Sequence, residues 1–145
     1  MNLRRDALSA REKNRSFRAA FDVIAAHRQN GGSLAAYVIA FSIFEDRLTA
    51  AVKSAAELRG IAQPAGHLTL HKKINRLVAA NYLDEESASD FKDAGDERNV
   101  LIHAAMWQLD VITDEHVAAA ISRARRIDRI AARLRRELSR PTRVP

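Results

Sequence analysis

The chain has no cysteine, and only five glycines and three prolines in 145 residues. Without cysteine there can be no disulfide, no thiolate metal site and no cysteine nucleophile. With so little glycine and proline, few positions force a helix to stop. No apolar run approaches the roughly 20 residues needed to span a membrane. The opening Met-Asn-Leu-Arg-Arg-Asp has no apolar segment behind its charges, so no secretion signal is expected and the cytoplasm is the expected location. Strand-like alternation, internal repeats and low-complexity linkers are also missing. What the chain does have is alanine, leucine and arginine, with hydrophobic residues at 47%. That composition predicts one folded domain over 1–145, an all-α bundle of four to six helices. Its core is expected over about 17–138, with a frayed tail at 139–145.

Charge is unevenly spread. From Glu115 onward nine arginines stand against Glu115, Asp128 and Glu137, a balance of +6. The preceding 114 residues hold 15 basic and 15 acidic side chains and balance to zero. Such asymmetry fits a polyanionic partner, or a solvated helix face that binds nothing.

A first helix is expected over 3–29, with Phe17, Phe21 and Ile24 at helical spacing. Asn30-Gly31-Gly32 breaks it, and Ser33 is placed to cap the next helix, 33–58. There Leu34, Val38, Phe41, Leu48 and Val52 form a stripe, while Tyr37, Ile39, Ile43 and Phe44 cover much of the rest, as in a central helix. Glu45 falls on that stripe and should meet a cation or a donor, because burying an unpaired carboxylate is costly. Either it forms a structural salt bridge, or it lies against Arg98 or His103.

After a loop at 60–66, a short helix over 68–80 turns Leu70, Ile74, Leu77 and Val78 inward. His67 and His71 are four apart, a spacing usable for metal. No third ligand accompanies them, so no metal site is expected. Asp84 is placed to cap a short acidic helix, 85–94, which Gly95 should end with a bend. Thr113 should cap the last helix, with Asp114 and Glu115 in its first turn. Val117, Ile121, Ala124, Ala131, Leu134 and Leu138 give that helix its inner face, and Arg123, Arg126, Arg129, Arg133, Arg136 and Arg140 are expected on the other side. No helix-turn-helix pattern with a short glycine turn is evident.

Between these elements lies Asp96-Glu97-Arg98-Asn99-Val100-Leu101-Ile102-His103-Ala104. Asp96 and Glu97 suit the start of a helix following Gly95. Asn99 and His103 are four apart and share a helix face, about 40° of rotation from one another. The long side chain of Arg98 can swing toward them, so that a cation, an amide and an imidazole converge where a phosphate could be held. The plainer alternative pairs Arg98 with Glu97, Asp96 or Glu45 and leaves His103 at a core edge.

Arg98-Asn99-Val100-Leu101-Ile102-His103 resembles the Arg-Asn-x-x-x-His form of the HEPN-domain motif. The likeness extends to an apolar helix with an internal acidic residue, Phe41-Ser42-Ile43-Phe44-Glu45-Asp46-Arg47-Leu48, and to the middle segment Leu70-His71-Lys72-Lys73-Ile74-Asn75-Arg76-Leu77. It covers most of the chain, roughly 17–138.

The resemblance implies a metal-independent endoribonuclease without a cofactor, acting as a homodimer with a composite site. His103 would exchange protons with the RNA 2′-hydroxyl or the leaving 5′-oxygen, Arg98 would stabilise the phosphorane, and Asn99 would orient the phosphate or imidazole; Glu45, where it lies against Arg98 or His103, would orient this site or shift the histidine pKa. The product would be a 2′,3′-cyclic phosphate. RNA, a second copy of the chain, and an antitoxin or other neutralising protein are the implied partners, in a toxin–antitoxin or phage-defence role. Some relatives carry a modifiable tyrosine two residues after the histidine. Here that position is Ala105, so the resemblance does not extend to that control. Other relatives cleave nothing and serve as dimeric binding modules, which is the alternative reading.

Overall fold

A computed structural model of the chain describes residues 18–19, 21–22, 32–62, 67–105, 107–108 and 110–140. The expected first helix, the break at Asn30-Gly31, most of the 60–66 loop and the extreme tail fall largely outside these. Arg18, Ala19, Phe21 and Asp22 are described, and they are helical. The described residues form four helices and no strand, an all-α arrangement. No helix among them is long and apolar enough to cross a membrane.

The central helix, α1, is Ser33–Leu58, and it buries Tyr37, Phe41, Phe44, Leu48 and Val52. Its cap differs from the expected one. Gly32 holds the N-cap position without a side-chain bond, and Ser33 is already helical. The Ser33 hydroxyl instead donates to Asp114 Oδ1 at 3.1 Å. At the other end, Gly60 at φ +64° closes a left-handed C-terminal motif: its N–H reaches Glu57 O (3.1 Å) and that of Ile61 reaches Ala56 O (2.9 Å).

Helix α2, Leu70–Ala79, is capped by Thr69, whose side chain accepts from the Lys72 N–H at 3.3 Å, and it buries Ile74 and Leu77. Asn81 at φ 61° ends it as Gly60 ends α1, the N–H of Tyr82 returning to Leu77 O at 2.9 Å.

The expected bend at Gly95 does not occur. A single helix, α3, runs Glu85–Ala105 straight through it. Asp84 caps this helix as expected, accepting from the Ser87 N–H at 2.6 Å. That bond, above other contributions, lowers the Asp84 pKa. Gly95 is buried, and a Cβ there would run into Leu70 of α2. The glycine therefore permits a close helix crossing rather than a turn. Asp96 and Glu97 lie inside the helix, not at its start. His71 Nε2 meets Asp96 Oδ1 at 3.3 Å across the same crossing.

Helix α4, Asp114–Leu138, starts with the expected Thr113 cap. The cap is reciprocal, the Thr113 N–H donating to His116 Nδ1 at 3.0 Å. Ser33 meets Asp114, Tyr37 sits edge-on to His116, and Arg47 reaches Asp128 at 3.8 Å. Partners advance together along both helices, so α1 and α4 run parallel; α2 also advances with α1, Lys73 meeting Thr49 and Arg59 meeting Ala79, which leaves α3 to make the return. Phe44 stacks edge-on against Phe91, with ring centroids 5.0 Å apart, while Phe41, a turn earlier, lies under Arg98, further along α3. Helix α3 is thus antiparallel to α1. Fully buried Tyr37, Phe44, Phe91, Leu48, Ile127 and Leu134 fill the space between these helices, each worth roughly 1.5–3 kcal/mol by burial.

Two charge assignments change. Arg123 and Arg126 do not face away from the protein. Arg123 grips Asp90 of α3 with Nε and Nη2 (3.2 and 3.1 Å), and Arg126 donates to Asp90 Oδ2 (3.1 Å) and Ser87 Oγ (2.7 Å). Those bonds, led by the one from Arg123, lower the Asp90 pKa. The buried charge on α1 is Arg47, 7% exposed and 3.0 Å from Asp46. Glu45 is only half-buried. Arg47 lies three residues after Phe44 and four before Ala51, near the middle of the buried arc. Glu45 lies about 40° beyond Phe41, at its edge.

Candidate functional site

The Asp96–Ala104 stretch forms the last turns of α3, where it crosses the first half of α1. Tyr37, Val38, Phe41 and Ser42 of α1, with Arg98 and Ile102 of α3, line a depression of about 100 Å³. The spacing produces it: Tyr37/Phe41 and Val38/Ser42 are i, i+4 pairs, and Arg98 and Ile102 are a third facing them. Arg98 turns inward. Its guanidinium carbon lies 5.2 Å from the centroid of the Phe41 ring, in cation–π range. Its Nη1 donates to Asn99 Oδ1 at 3.2 Å. The rest of the fork is left to donate to an oxyanion.

Tyr37, buried beside this depression, has its pKa pushed up to about 12, first by burial and then by the nearby Glu97 carboxylate, while Arg123 and Arg98 pull the other way. The phenol therefore stays protonated, and a hydrogen-bond donor, throughout the neutral range.

Asn99 and His103 are both exposed on the outward side of α3. Arg98 and His103 are five residues apart, about 140° of helical rotation. The structure thus brings Arg98 to Asn99 but not to His103: among the described residues no hydrogen bond or ion pair joins the guanidinium to the imidazole. Nor does Glu45 reach either. With α1 and α3 antiparallel, Glu45 falls one turn beyond Phe41, toward the Phe91 end of α3 and away from His103. Its carbonyl accepts from Thr49 Oγ1 at 3.0 Å, and its carboxylate has no partner among the described residues.

Exposed apolar side chains occur near the end of this helix crossing. Val100 is 68% exposed, Trp107 83% and Val38 43%. Val100 and His103 are i, i+3 neighbours on the outward stripe of α3, and the exposed Trp107 follows in the turn just past its end. The stripe could be read from the sequence by spacing alone; Tyr37 as a neighbour of Arg98 could not, since it depends on how α1 and α3 cross.

Among the described residues no group of three or more histidine, aspartate or glutamate side chains could hold a metal ion. No family model matches the chain, and no curated protein or solved structure matches it either.

Proposed function

We propose that the chain is an endoribonuclease of HEPN type that works as a homodimer without a metal ion, in a toxin or phage-defence role. The observation that carries this reading is the outward stripe of α3. It presents His103 and Asn99 to solvent amid Val100 and Trp107, with Arg98 anchored one turn back on Phe41. One chain supplies one imidazole and one guanidinium, about 140° apart on the helix. Two chains packed through Val100 and Trp107 bring two of each to one axis. One His103 then takes the proton as the RNA 2′-oxygen attacks phosphorus. The P–O5′ bond breaks, the other His103 protonates the leaving 5′-oxygen, and a 2′,3′-cyclic phosphate remains. Arg98, steadied by Asn99, offsets the charge of the phosphorane. Glu45, at the other end of the helix crossing, takes no part in the step.

Incubating the purified protein with mixed RNAs in EDTA tests this. The expected result is cleavage to cyclic-phosphate ends by the wild type, abolished by Arg98→Ala and by His103→Ala. Absence of cleavage by the wild type, or undiminished cleavage in both variants, refutes it. The separation of Arg98 from His103 within one chain favours a second reading, a catalytically silent dimer that binds a partner through the same stripe. Dimerisation with no cleavage selects that reading. A strictly monomeric chain excludes both.

A further inference from the structure

The twelve basic and acidic groups that give the C-terminal segment its +6 are not used alike. Arg123 and Arg126 are spent on Asp90 and Ser87, and Arg133 lies 3.9 Å from Glu137. Arg125, Arg129 and Arg136 are different. All three are exposed, and none has a carboxylate partner among the described residues. Arg125 only lies over the Phe21 ring, at 5.4 Å. They fall within about 40° of one another around α4, directly opposite the stripe of Ile127, Ala131 and Leu134, and are spaced by about 6 and about 10 Å of rise. Arg125 and Arg129 border a shallow groove of about 260 Å³, completed by Ala118, Ile121 and Ser122.

We infer that this outward ladder of α4 is a docking surface for the sugar–phosphate backbone of single-stranded RNA. The choice of RNA over other phosphodiesters rests on the ribonuclease reading; the ladder itself does not. Charge complementarity carries the occupant. A row of unpaired guanidiniums at regular intervals along a rod matches a chain that carries one negative charge per nucleotide, and each fork can grip a phosphate through two N–H groups. An acidic protein would need an apolar centre around which to pack. The ladder has none among the described residues: of the large exposed apolar side chains, Val38, Ile61, Val100 and Trp107 lie off α4, and Leu138 is on the side of α4 opposite the ladder. Phe21, the aromatic ring beside the ladder, is half-buried and already faces the Arg125 guanidinium, so the ladder holds the strand by its phosphates without reading its sequence.

The test is a fluorescence-anisotropy titration of a labelled single-stranded RNA with the full chain, made uncleavable by His103→Ala, over a series of salt concentrations. The combined variant Arg125→Gln, Arg129→Gln, Arg136→Gln should bind about tenfold or more weakly at low salt, with the log–log salt slope shallower by about 2, as loss of three phosphate contacts requires. Lysine at the same three positions should retain most of the binding. Lys72→Gln with Arg76→Gln, a loss of exposed charge on α2, should leave the slope nearly unchanged.

Equal losses in the ladder and α2 variants, polyglutamate binding as tightly as RNA, or no RNA binding at all overturns the inference. Cleavage is scored separately on the Arg98 and His103 variants. Ladder-dependent binding without wild-type cleavage refutes the ribonuclease alone, and cleavage with ladder-independent binding refutes the ladder alone.

Discussion

The two halves of α3 belong to one helix and are treated in opposite ways. Its first half is tied down on every side. Asp84 caps it, Phe91 is buried edge-on to Phe44 and lies 5.0 Å beneath the Arg126 guanidinium, two arginines hold Asp90, and Gly95 is pressed against Leu70. Its second half buries Leu101 and Ala105 but gives Asn99, Val100 and His103 to solvent, followed by Trp107. Binding and catalytic groups concentrate where a rigid scaffold presents them without using up their polar atoms. The contrast separates a half that holds the fold from a half available to a ligand.

That division can be broken or sharpened by substitution. The largest effect is expected on activity: Arg98→Ala and His103→Ala should each lower RNA cleavage by about 10²–10⁴-fold. His103→Ala should leave the thermal midpoint within the range of ordinary surface changes, because the imidazole is exposed and has no hydrogen bond or ion pair among the described residues. A large drop in that midpoint would move His103 into the structural half. Phe91→Ala should cost about 3–5 kcal/mol in urea unfolding, the usual range for emptying a buried aromatic site.

Asp90→Asn should cost less, about 1–2 kcal/mol, since the ion pairs are partly open to water. It should also change the pH dependence. Asp90 has a lowered pKa in the folded protein, so the unfolded chain takes up its proton first, and the resulting stabilisation is present above about pH 4 and fades as the solution is acidified below it. Comparing unfolding of wild type and Asp90→Asn from neutral pH to pH 3 should show the two curves converging. Parallel curves would mean that the clamp contributes nothing through its charge.

The smallest change in chain stability is expected for Trp107→Ser, within about 0.5 kcal/mol. Its effect should appear in sedimentation as a shift toward monomer. An unchanged assembly state would remove the outward stripe from the interface.

How much of this could be read beforehand varied with the kind of signal. Helix α1 matches its expected span because Asn30-Gly31-Gly32 and Gly60 bracket a long apolar pattern, and α4 starts at Thr113 because a capping side chain followed by two carboxylates is a local signal. Gly95 misled for a physical reason. A glycine inside a helix looks the same in sequence whether it ends the helix or lets another helix approach, and only the position of Leu70 distinguishes the two. Charge placement was hard to read for a similar reason. Arg123 and Arg126 look like their neighbours Arg125 and Arg129 until Asp90 is seen on the facing helix, 33 and 36 residues away in sequence. Arg47 could have been recognised as the buried charge by its spacing from Phe44 and Ala51. Asn99 and His103 were legible as a shared face. Their distance from Glu45 was not, because it depends on the antiparallel run of α1 and α3.

The unbroken passage of α3 through Gly95 bears on how the exposed residues would meet a ligand. With no hinge between Asp90 and Asn99, the two lie on one stiff rod about 13 Å apart. A residue on a loop must surrender its freedom each time something binds, but Arg98 and Asn99 surrendered theirs when the chain folded. Loosening the far end of the rod, as by Asp90→Asn, would therefore reach the ligand as a loss of alignment, without any contact being removed from it.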